Sequence, residues 1–429
     1  MRIAFTTLGC KVNQYETENL IELFLSDGFD VVEPTEEADV YVVNSCTVTA
    51  TGDKKTRQIL RRLKKQNPIA KIALTGCLPQ AFPDDVLNLT EADIITGAYN
   101  RKGLLKAVKT SLATNQKVID ITPHERGEAF EKMSVRGLRG RTRAFVKIED
   151  GCERYCSYCI IPKARGPVRS KKLEDIKTEL SLLAKNGYKE VVLVGINLSS
   201  YGKDLGLRLI DAVETACLVD GIERIRLGSL EPELLSDEDL IKMSKLDKFC
   251  PQFHLALQSG CDKTLKAMNR HYDCKEYSRI VQKIREVFEN PSVTTDIMVG
   301  FPEETEEDFN VSLKFAEEIG LAKAHVFAYS SREGTVAARR AGQVPNPEKE
   351  KRSKKMIEVL EKKRLEFLNS QVGRIEEVLL ETTKDHLGYE GFTKNYTPVS
   401  IDCDSFLCGT IVKVKITAVL GDRCVGVII

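Results

Sequence analysis

Three cysteines, Cys152, Cys156 and Cys159, lie within eight residues in the sequence GCERYCSYC. Cysteine thiolates are favoured ligands of zinc and of iron–sulfur clusters. Three thiolates at this spacing can bind three irons of a cubane cluster and leave the fourth iron open to another ligand. A zinc site normally needs a fourth Cys or His nearby, and the next histidine is His254. The spacing therefore favours a [4Fe-4S] cluster, with a zinc knuckle as the alternative.

Three further cysteines, Cys10, Cys46 and Cys77, are far apart in the sequence, but each follows a short apolar segment that is typical of a buried strand. The carboxyl ends of parallel strands share one rim of a sheet, so these three thiols can converge there. Gly9 and Gly76 directly precede two of them and would let the backbone approach a bulky cluster. Three buried structural cysteines, the usual state of a free thiol, are the alternative.

The elements that must position these thiols alternate between strand and helix. In the first 112 residues this alternation predicts a doubly wound parallel sheet, followed by a polar, basic linker over residues 113–137. The predicted strands are Arg2–Thr7, Val40–Val43 and Lys71–Leu74, and the predicted helices are Glu16–Ser26 and Asp53–Gln66.

A second strand–helix series begins at Ala144–Glu149, directly before the three clustered cysteines. It contains six strand–helix units, fewer than the eight of a full barrel, so residues 138–369 are predicted to form an incomplete (βα)6 barrel. Residues 370–429 are short β-branched runs broken by Gly, Asn and Asp, which predicts a small all-β barrel. The fold class is therefore α/β with a C-terminal all-β domain.

Composition narrows the class of protein. The chain has 429 residues, 42% hydrophobic and 30% charged, which excludes a disordered or collagen-like protein. No apolar run approaches the roughly 20 residues that span a bilayer, and no secretory leader is visible, so we expect a cytoplasmic protein without membrane contact. Thirteen cysteines in such a chain indicate metal or redox chemistry rather than disulfides. The net charge of +1 does not indicate a nucleic-acid-binding protein, so any contact with RNA or DNA must come from local basic patches.

Over nearly its whole length the chain resembles the methylthiotransferase family of radical S-adenosylmethionine enzymes. C-x3-C-x2-C after the first strand of a βα barrel is the signature of that superfamily, and Tyr158 is the aromatic residue expected before the third cysteine. The C-terminal module resembles the RNA-binding TRAM domain. The segments that carry the resemblance include LGCKVNQYE at 8–16, VVNSCTVT at 42–49, LTGCLPQ at 74–80, DGCERYCSYCIIPKARGPVRSK at 150–171 and HLALQSGCDKTLKAMNRHY at 254–272.

The resemblance implies two [4Fe-4S] clusters and two molecules of S-adenosylmethionine per turnover. The cluster held by Cys152, Cys156 and Cys159 would generate a 5′-deoxyadenosyl radical, and the cluster held by Cys10, Cys46 and Cys77 would carry the sulfur. LGCKVNQYE and QSGCDKTLKAMNR are most similar to the branch that adds a methylthio group at carbon 2 of N6-threonylcarbamoyladenosine, next to the anticodon of tRNA. An electron donor such as flavodoxin would be a further partner.

Three other functions stay open at this point. Two are methylthiolation of isopentenyladenosine in tRNA and of an aspartate in a small-subunit ribosomal protein. The third, of a different class, is a non-catalytic iron–sulfur or zinc protein that binds RNA. Because radical chemistry supplies the reactivity, no catalytic residues are expected beyond the cluster ligands.

Polar residues at barrel strand ends are the candidates for binding S-adenosylmethionine, together with Tyr158. They are Gly195, Asn197, Ser229, Glu231 and Gln258. Two basic runs, 51–72 and 154–172, are candidate RNA contacts through Arg57, Arg61, Arg165 and Arg169, although such runs are often only solvated faces. In the C-terminal module, base stacking is predicted for Phe392, Tyr396 and Phe406.

Overall fold

The computed structural model describes residues 1–382, 388–402 and 407–429. The N-terminal region is a six-stranded parallel sheet in the order β2-β1-β3-β4-β5-β6, once the strands are numbered along the chain. The strands are β1 Arg2–Thr7, β2 Asp30–Val32, β3 Val40–Ser45, β4 Lys71–Gly76, β5 Ile94–Thr96 and β6 Val118–Asp120. The helices are α1 Lys11–Ser26, α2 Ala50–Gln66, α3 Cys77–Ala81, α4 Pro83–Leu87 and α5 Arg101–Thr114.

Helices cover both faces of this sheet, as a parallel sheet requires. Every residue of β3 (VYVVNS) is buried, because Val40 and Val42 pack into the apolar cluster on one face and Tyr41 and Val43 into the cluster on the other. Strand β6 lies within the segment predicted to be a linker, and it pairs in parallel with β5. A strand of three residues is too short for its alternating pattern to be recognised in the sequence.

The central region confirms the predicted incomplete barrel. Its parallel strands pair as β7-β10-β11 and β12-β13-β14-β15, and β11 continues into β12 after Gly228, which gives six strand positions. Among the described residues no pairing joins β7 to β15, so the barrel is open on one side. The strands are β7 Arg143–Lys147, β10 Glu190–Val194, β11 Arg224–Leu227, β12 Ser229–Leu230, β13 Gln252–Leu255, β14 Ser292–Val299 and β15 Lys323–Ala328, with a short antiparallel ribbon of β8 Glu149–Asp150 and β9 Arg169–Ser170.

Most helices of the central region cover the outside of the barrel. They are α7 Leu173–Lys185, α8 Leu209–Cys217, α9 Asp237–Ser244, α10 Asp262–Ala267, α11 Cys274–Val287 and α12 Glu306–Glu318, whereas the short α6 Ile161–Arg165 packs against α3. Helix α1 of the N-terminal region packs against β7 at the open side, and its Val12 and Tyr15 belong to the hydrophobic core of the barrel. The Tyr15 hydroxyl also donates to Glu179 Oε1 at 2.9 Å. The two regions therefore share one core.

A 25-residue helix, α13 Asn346–Ser370, leads into a closed five-stranded barrel in the order β16-β17-β18-β20-β19. Its strands are β16 Ile375–Thr382, β17 Tyr389–Thr393, β18 Pro398–Ile401, β19 Ile411–Leu420 and β20 Arg423–Ile428. The described part of the chain contains no helix with the length and apolar character to cross a membrane.

The C-terminal barrel packs against the amino ends of the central strands. Arg224 Nη2 donates to the Glu377 carbonyl at 2.8 Å and Arg226 Nη1 to the Lys394 carbonyl at 2.9 Å. Ser292 Oγ donates to the Asn395 carbonyl at 2.5 Å. This barrel therefore closes the end of the central barrel that is opposite to the clustered cysteines.

Two of the aromatic residues predicted to stack on RNA bases, Phe392 and Tyr396, instead pack against arginines of the central region. Phe392 and Tyr396 stack on each other with centroids 4.5 Å apart, and the Arg143 guanidinium lies over both rings at 4.7 and 4.9 Å. Arg226 also lies 4.7 Å from the Tyr396 ring. Cation–π packing at the domain interface therefore replaces the predicted contact with bases for these two residues. Phe406 lies outside the described residues.

Candidate iron–sulfur and cofactor sites

Cys10, Cys46 and Cys77, here called the rim triplet, follow three strands that are neighbours in the sheet, β1, β3 and β4. The strand order reverses between β1 and β3, which is where open parallel sheets form their ligand crevice. A Cβ added to Gly9 would lie 2.9 Å from the Cys46 Cβ, so the Cys10 and Cys46 loops are in direct contact. The fold thus places three distant thiols at adjacent strand ends.

Each thiol of the rim triplet has a polar partner. Arg165 Nε donates to Cys77 Sγ at 3.2 Å, and the Val48 backbone N–H donates to Cys46. Cys10 Sγ lies 3.3 Å from Asn13 Oδ1. Burial raises the pKa of Cys77 to about 12, and the positive charge of Arg165 opposes this rise. An N–H donor at a buried sulfur suits a thiolate ligand.

Cys152, Cys156 and Cys159, here called the loop triplet, lie in the segment that follows the β8 strand. Arg270 Nη1 donates to Cys156 Sγ at 3.2 Å, and the Ile161 N–H donates to Cys159 Sγ at 3.4 Å. Burial raises the pKa values of Cys152 and Cys159 to about 12. This loop therefore repeats the pattern of the rim triplet, with one arginine and one backbone N–H directed at the sulfurs.

Backbone contacts hold the loop triplet against the rest of the barrel end. The Ser157 N–H donates to the Met268 carbonyl at 2.9 Å, and the Ser157 carbonyl accepts from the Ala337 N–H at 2.8 Å. Tyr158 packs edge-on against Phe301 with centroids 6.3 Å apart. The predicted cofactor residue Tyr158 thus has a packing role in fixing the loop.

The two triplets have a common wall. Cys77 of the rim triplet packs in one apolar cluster with Ala81 of α3 and with Ile160 and Ala164, and Ile160 directly follows Cys159 of the loop triplet. Helix α6 therefore runs from one triplet to the other.

Each triplet offers three thiols, which is a donor set that fits a cubane cluster with one open iron. Among the described residues, no group of three or more His, Cys, Asp or Glu side chains is arranged to hold a metal ion. Zinc needs about four ligands on one ion, whereas a cubane cluster spreads its thiolates over different irons. Two sets of three thiols, each with N–H donors, suit the second arrangement.

Substituting Gly151 by alanine tests how closely the loop triplet is held. Gly151 has φ +93°, and an added Cβ would overlap the carbonyl oxygen of Pro167. Backbone strain alone costs about 1–2 kcal/mol, and the overlap would displace the start of the loop. We expect Gly151→Ala to lose most of the iron of this site after anaerobic reconstitution, measured as iron per chain.

The matched control is Gly187→Ala, because Gly187 has φ +88° with nothing within 4 Å of an added Cβ. It should be strained by a similar amount and keep the iron content of the wild type. Equal iron in Gly151→Ala and wild type would show that the overlap is relieved without moving the cysteines.

The predicted cofactor residues lie around the same end of the barrel. Asn197 Nδ2 donates to Ser200 Oγ at 2.8 Å, while its buried Oδ1 has no hydrogen-bond partner among the described residues. A Cβ on Gly195 would lie 2.5 Å from Glu149 Oε2. Glu149, which was not anticipated from the sequence, is fully buried, and its Oε1 is likewise without a partner in the part of the chain described. Both oxygens are buried, and burial raises the pKa of the Glu149 carboxyl group well above its ordinary value.

The other three predicted cofactor residues differ in their surroundings. Gln258 adopts a left-handed φ of 64°, with its carbonyl accepting from the Met298 N–H at 2.8 Å. Glu231 forms an ion pair with Arg270, the same arginine that donates to Cys156. Ser229 is exposed to solvent.

A buried charge network joins the N-terminal region to the barrel. The Glu16 carboxylate of α1 is fully buried and pairs with Arg101 at 2.6 Å, Lys147 at 2.7 Å and Arg165 at 2.5 Å. Burial by itself would raise the pKa of Glu16, but Arg101, Arg165 and Lys147 outweigh it and hold the pKa well below its ordinary value. Sequence reasoning missed this role of Glu16, although LGCKVNQYE contains the residue.

The structure corrects two of the predicted RNA contacts. The Arg165 side chain is fully buried against Glu16 and Cys77. Arg169 is only 2% exposed and pairs with Glu128 and, at 3.1 Å, with Asp150. Neither guanidinium can reach a tRNA phosphate in this arrangement.

The other two predicted RNA contacts lie on the surface of α2. The Arg61 side chain is 68% exposed, with a 3.2 Å pair to Glu91. Arg57 is half-buried and lies 3.5 Å from the Asp85 carbonyl. Contact of these two residues with RNA stays a prediction.

Two family models match separate parts of the chain. Residues 2–97 match the model described as "Uncharacterized protein family UPF0004", and residues 146–316 match the radical SAM superfamily.

Curated relatives match along almost the entire chain. The threonylcarbamoyladenosine tRNA methylthiotransferase MtaB of Bacillus subtilis (strain 168) is 36% identical and covers 96% of this chain and 93% of its own. The protein of the same name in Aquifex aeolicus (strain VF5) is 38% identical and covers 87% and 91%. A tRNA-2-methylthio-N(6)-dimethylallyladenosine synthase of Clostridium botulinum (strain Loch Maree / Type A3) is 36% identical and covers 96% and 93%.

Solved structures share the fold at low identity. The radical S-adenosylmethionine methyltransferase TsrM from Kitasatospora setae has a TM-score of 0.58 at 13% identity and covers 79% of this chain and 74% of its own. The cobalamin-dependent S-adenosylmethionine radical enzyme OxsB has a TM-score of 0.51 at 12% identity and covers 84% and 56%.

Proposed function

We propose, for a chain that belongs to the tRNA methylthiotransferases of the radical S-adenosylmethionine superfamily, that its substrate is N6-threonylcarbamoyladenosine next to the anticodon. Carbon 2 of that base would receive the methylthio group. Relatives named for this substrate and relatives named for dimethylallyladenosine are similarly identical to the chain. The choice is supported by LGCKVNQYE and QSGCDKTLKAMNR, which resemble the first branch.

The observation that carries the proposal is the common wall of the two cysteine triplets. A [4Fe-4S] cluster with S-adenosylmethionine belongs to the superfamily, and we assign its ligands to the loop triplet. We assign a second [4Fe-4S] cluster to the rim triplet, with a second S-adenosylmethionine in each turnover. Bound there, these groups supply a hydrogen-abstracting radical and a transferable sulfur. Contact of both triplets with α6 would keep the two sources of reactivity beside one substrate.

The chain's own residues would hold and shield these groups. Arg270 and Arg165 each donate to one cysteine sulfur and pair with a carboxylate, Glu231 and Glu16 respectively. The proposed contacts of S-adenosylmethionine are Tyr158, Gly195, Asn197, Ser229, Glu231 and Gln258, and the unpartnered Oδ1 of Asn197 would accept a hydrogen bond from the amino group or the ribose.

The domains would divide the work. Residues 1–112, extended by β6, would carry the rim cluster, residues 138–369 the radical chemistry, and residues 370–429 a TRAM-type RNA contact. On α2, Arg57 and Arg61 would meet the tRNA backbone. An electron donor such as flavodoxin would reduce the loop cluster, and the tRNA substrate would place the enzyme in the cytoplasm.

The test is methylthio transfer by the anaerobically reconstituted protein, followed by mass spectrometry of the tRNA nucleosides. We expect conversion of N6-threonylcarbamoyladenosine and about eight irons per chain, four for each cluster. Transfer to isopentenyladenosine or to a ribosomal-protein aspartate instead would overturn the substrate. Bound zinc without cleavage of S-adenosylmethionine would show a non-catalytic RNA-binding protein.

A further inference from the structure

One face of strands β13, β14 and β15 lines the inside of the central barrel. The parallel register pairs His254 with Thr294, Thr294 with Lys323, and Asp296 with His325. Side chains alternate along a strand, so residues at these positions share one face of the sheet. We call this face the lumen wall, formed by His254, Thr294, Asp296, Lys323, His325 and Phe327.

The lumen wall is uncovered at its last strand. Lys323, His325 and Phe327 of β15 are exposed, whereas Ala324 and Val326 on the opposite face pack against the barrel core. A large aromatic ring exposed on a barrel interior leaves an apolar surface on which a flat ligand can stack. The wall therefore presents exposed side chains that a ligand inside the barrel can contact.

A second lysine reaches this space from the N-terminal region. Lys11, the first residue of α1, places its Nζ 5.9 Å from the Phe145 ring centroid on β7. Burial lowers the pKa of His325, Asp296 opposes this effect, and the charges of Lys323 and Lys11 both add to it. His325 thus lies in the electrostatic field of both ammonium groups.

Lys323 lines a cavity that also contains Glu361, Glu390 and Asp422, but neither it nor Lys11 is paired with a carboxylate among the described residues. Asp296 is held by His254, whose Nε2 lies 3.3 Å from Asp296 Oδ2, while its Nδ1 lies 3.0 Å from Thr294 Oγ1. Within the described residues, no carboxylate lies within 4 Å of the ammonium of Lys11 or Lys323. Cations without a partner inside a concave surface favour an anionic ligand.

The geometry of the wall suits a ligand with a flat end and a charged end. A strand rises about 3.3 Å per residue, so Lys323 lies about 13 Å along β15 from Phe327. Phe327 pairs in register with Met298, which packs beside Tyr158, the residue before Cys159 of the loop triplet. The aromatic end of the wall is therefore the end nearer the loop triplet, and the cationic end is deeper in the barrel.

We propose that Lys323, assisted by Lys11, binds the carboxylate of the threonylcarbamoyl substituent, while Phe327 stacks on the purine. This inference rests on the proposed function and deepens it by assigning the residues that select the substituent. An uncharged dimethylallyl group would leave both ammonium groups desolvated without a partner, which disfavours that substrate.

The test compares Lys323→Gln with wild type on two tRNAs. One carries N6-threonylcarbamoyladenosine, and in the other its carboxylate has been converted to a methylamide. We expect Lys323→Gln to reduce kcat/KM at least about tenfold on the carboxylate tRNA, mainly through KM, because a charge-assisted hydrogen bond is lost. The kcat/KM of wild type on the methylamide tRNA should fall to a similar level. Lys323→Gln acting on the methylamide tRNA should have a kcat/KM only slightly lower than that of either single change.

Lys323→Arg should recover part of the loss, and Lys314→Gln, on the outer surface of α12 with its side chain 75% exposed, is the matched control. Iron content and cleavage of S-adenosylmethionine without tRNA report whether each variant is folded. A loss that is equal on both tRNAs, or a KM within twofold of wild type, would overturn the inference. Failure of the proposed function would appear separately, as wild type that leaves N6-threonylcarbamoyladenosine unmodified.

Discussion

Alanine at any cysteine of the loop triplet is expected to abolish cleavage of S-adenosylmethionine, whereas alanine at Cys10 should leave cleavage intact and stop methylthio transfer. Three thiolates are the minimum protein ligands for a cubane cluster, so one substitution removes the proposed radical source. Cys10 is the best choice in the rim triplet because it is exposed, while Cys77 is buried against α6 beside the loop triplet.

The measurements are the release of 5′-deoxyadenosine and the methylthio nucleoside by mass spectrometry. Cys217→Ala, at the end of α8 and outside both triplets, should retain both activities. Identical failure of Cys10→Ala and Cys152→Ala, with the other cluster assembled in each, would contradict the assignment of separate roles to the two triplets.

Glu16→Gln is expected to lower the free energy of unfolding by about 3–5 kcal/mol, the usual cost of removing one partner from a buried ion pair. The substitution keeps the shape of the side chain but removes the charge shared by Arg101, Lys147 and Arg165. Urea unfolding of the reconstituted protein measures the change. Glu36→Gln, which breaks an exposed pair with Arg2, should cost no more than about 1 kcal/mol.

The same residue predicts a dependence on pH. Because the folded pKa of Glu16 lies well below its ordinary value of 4.5, its stabilisation is complete above pH 4.5 and is lost as the pH falls through the lower folded value. The stability difference between wild type and Glu16→Gln should therefore shrink in acid. A difference that stays constant down to pH 3 would mean that the carboxylate does not act through its charge.

The sequence was sufficient for the features that depend on local pattern. Strands β1, β3 and β4 each contain a short apolar run, and a cysteine follows each of them, so the placement of the three cysteines at one rim of the sheet could be predicted from the order of elements. The partners of charged residues could not be predicted in this way. Arg165, for example, pairs with Glu16, which lies 149 positions away in the sequence. A basic run has the same composition whether it is solvated or buried, and its partners are set by tertiary packing.

Helix α1 has a consequence for how the protein is made. Val12 and Tyr15 complete the core of the barrel, yet they belong to the part of the chain that leaves the ribosome first. Until residues 144–183 have been synthesised, these side chains lack the strands and helix that will cover them. The nascent N-terminal region therefore exposes apolar side chains that are buried in the complete fold. A fragment beginning at residue 138 would lack part of its hydrophobic core. The shared core thus makes the folding of the N-terminal region depend on the synthesis of the central region.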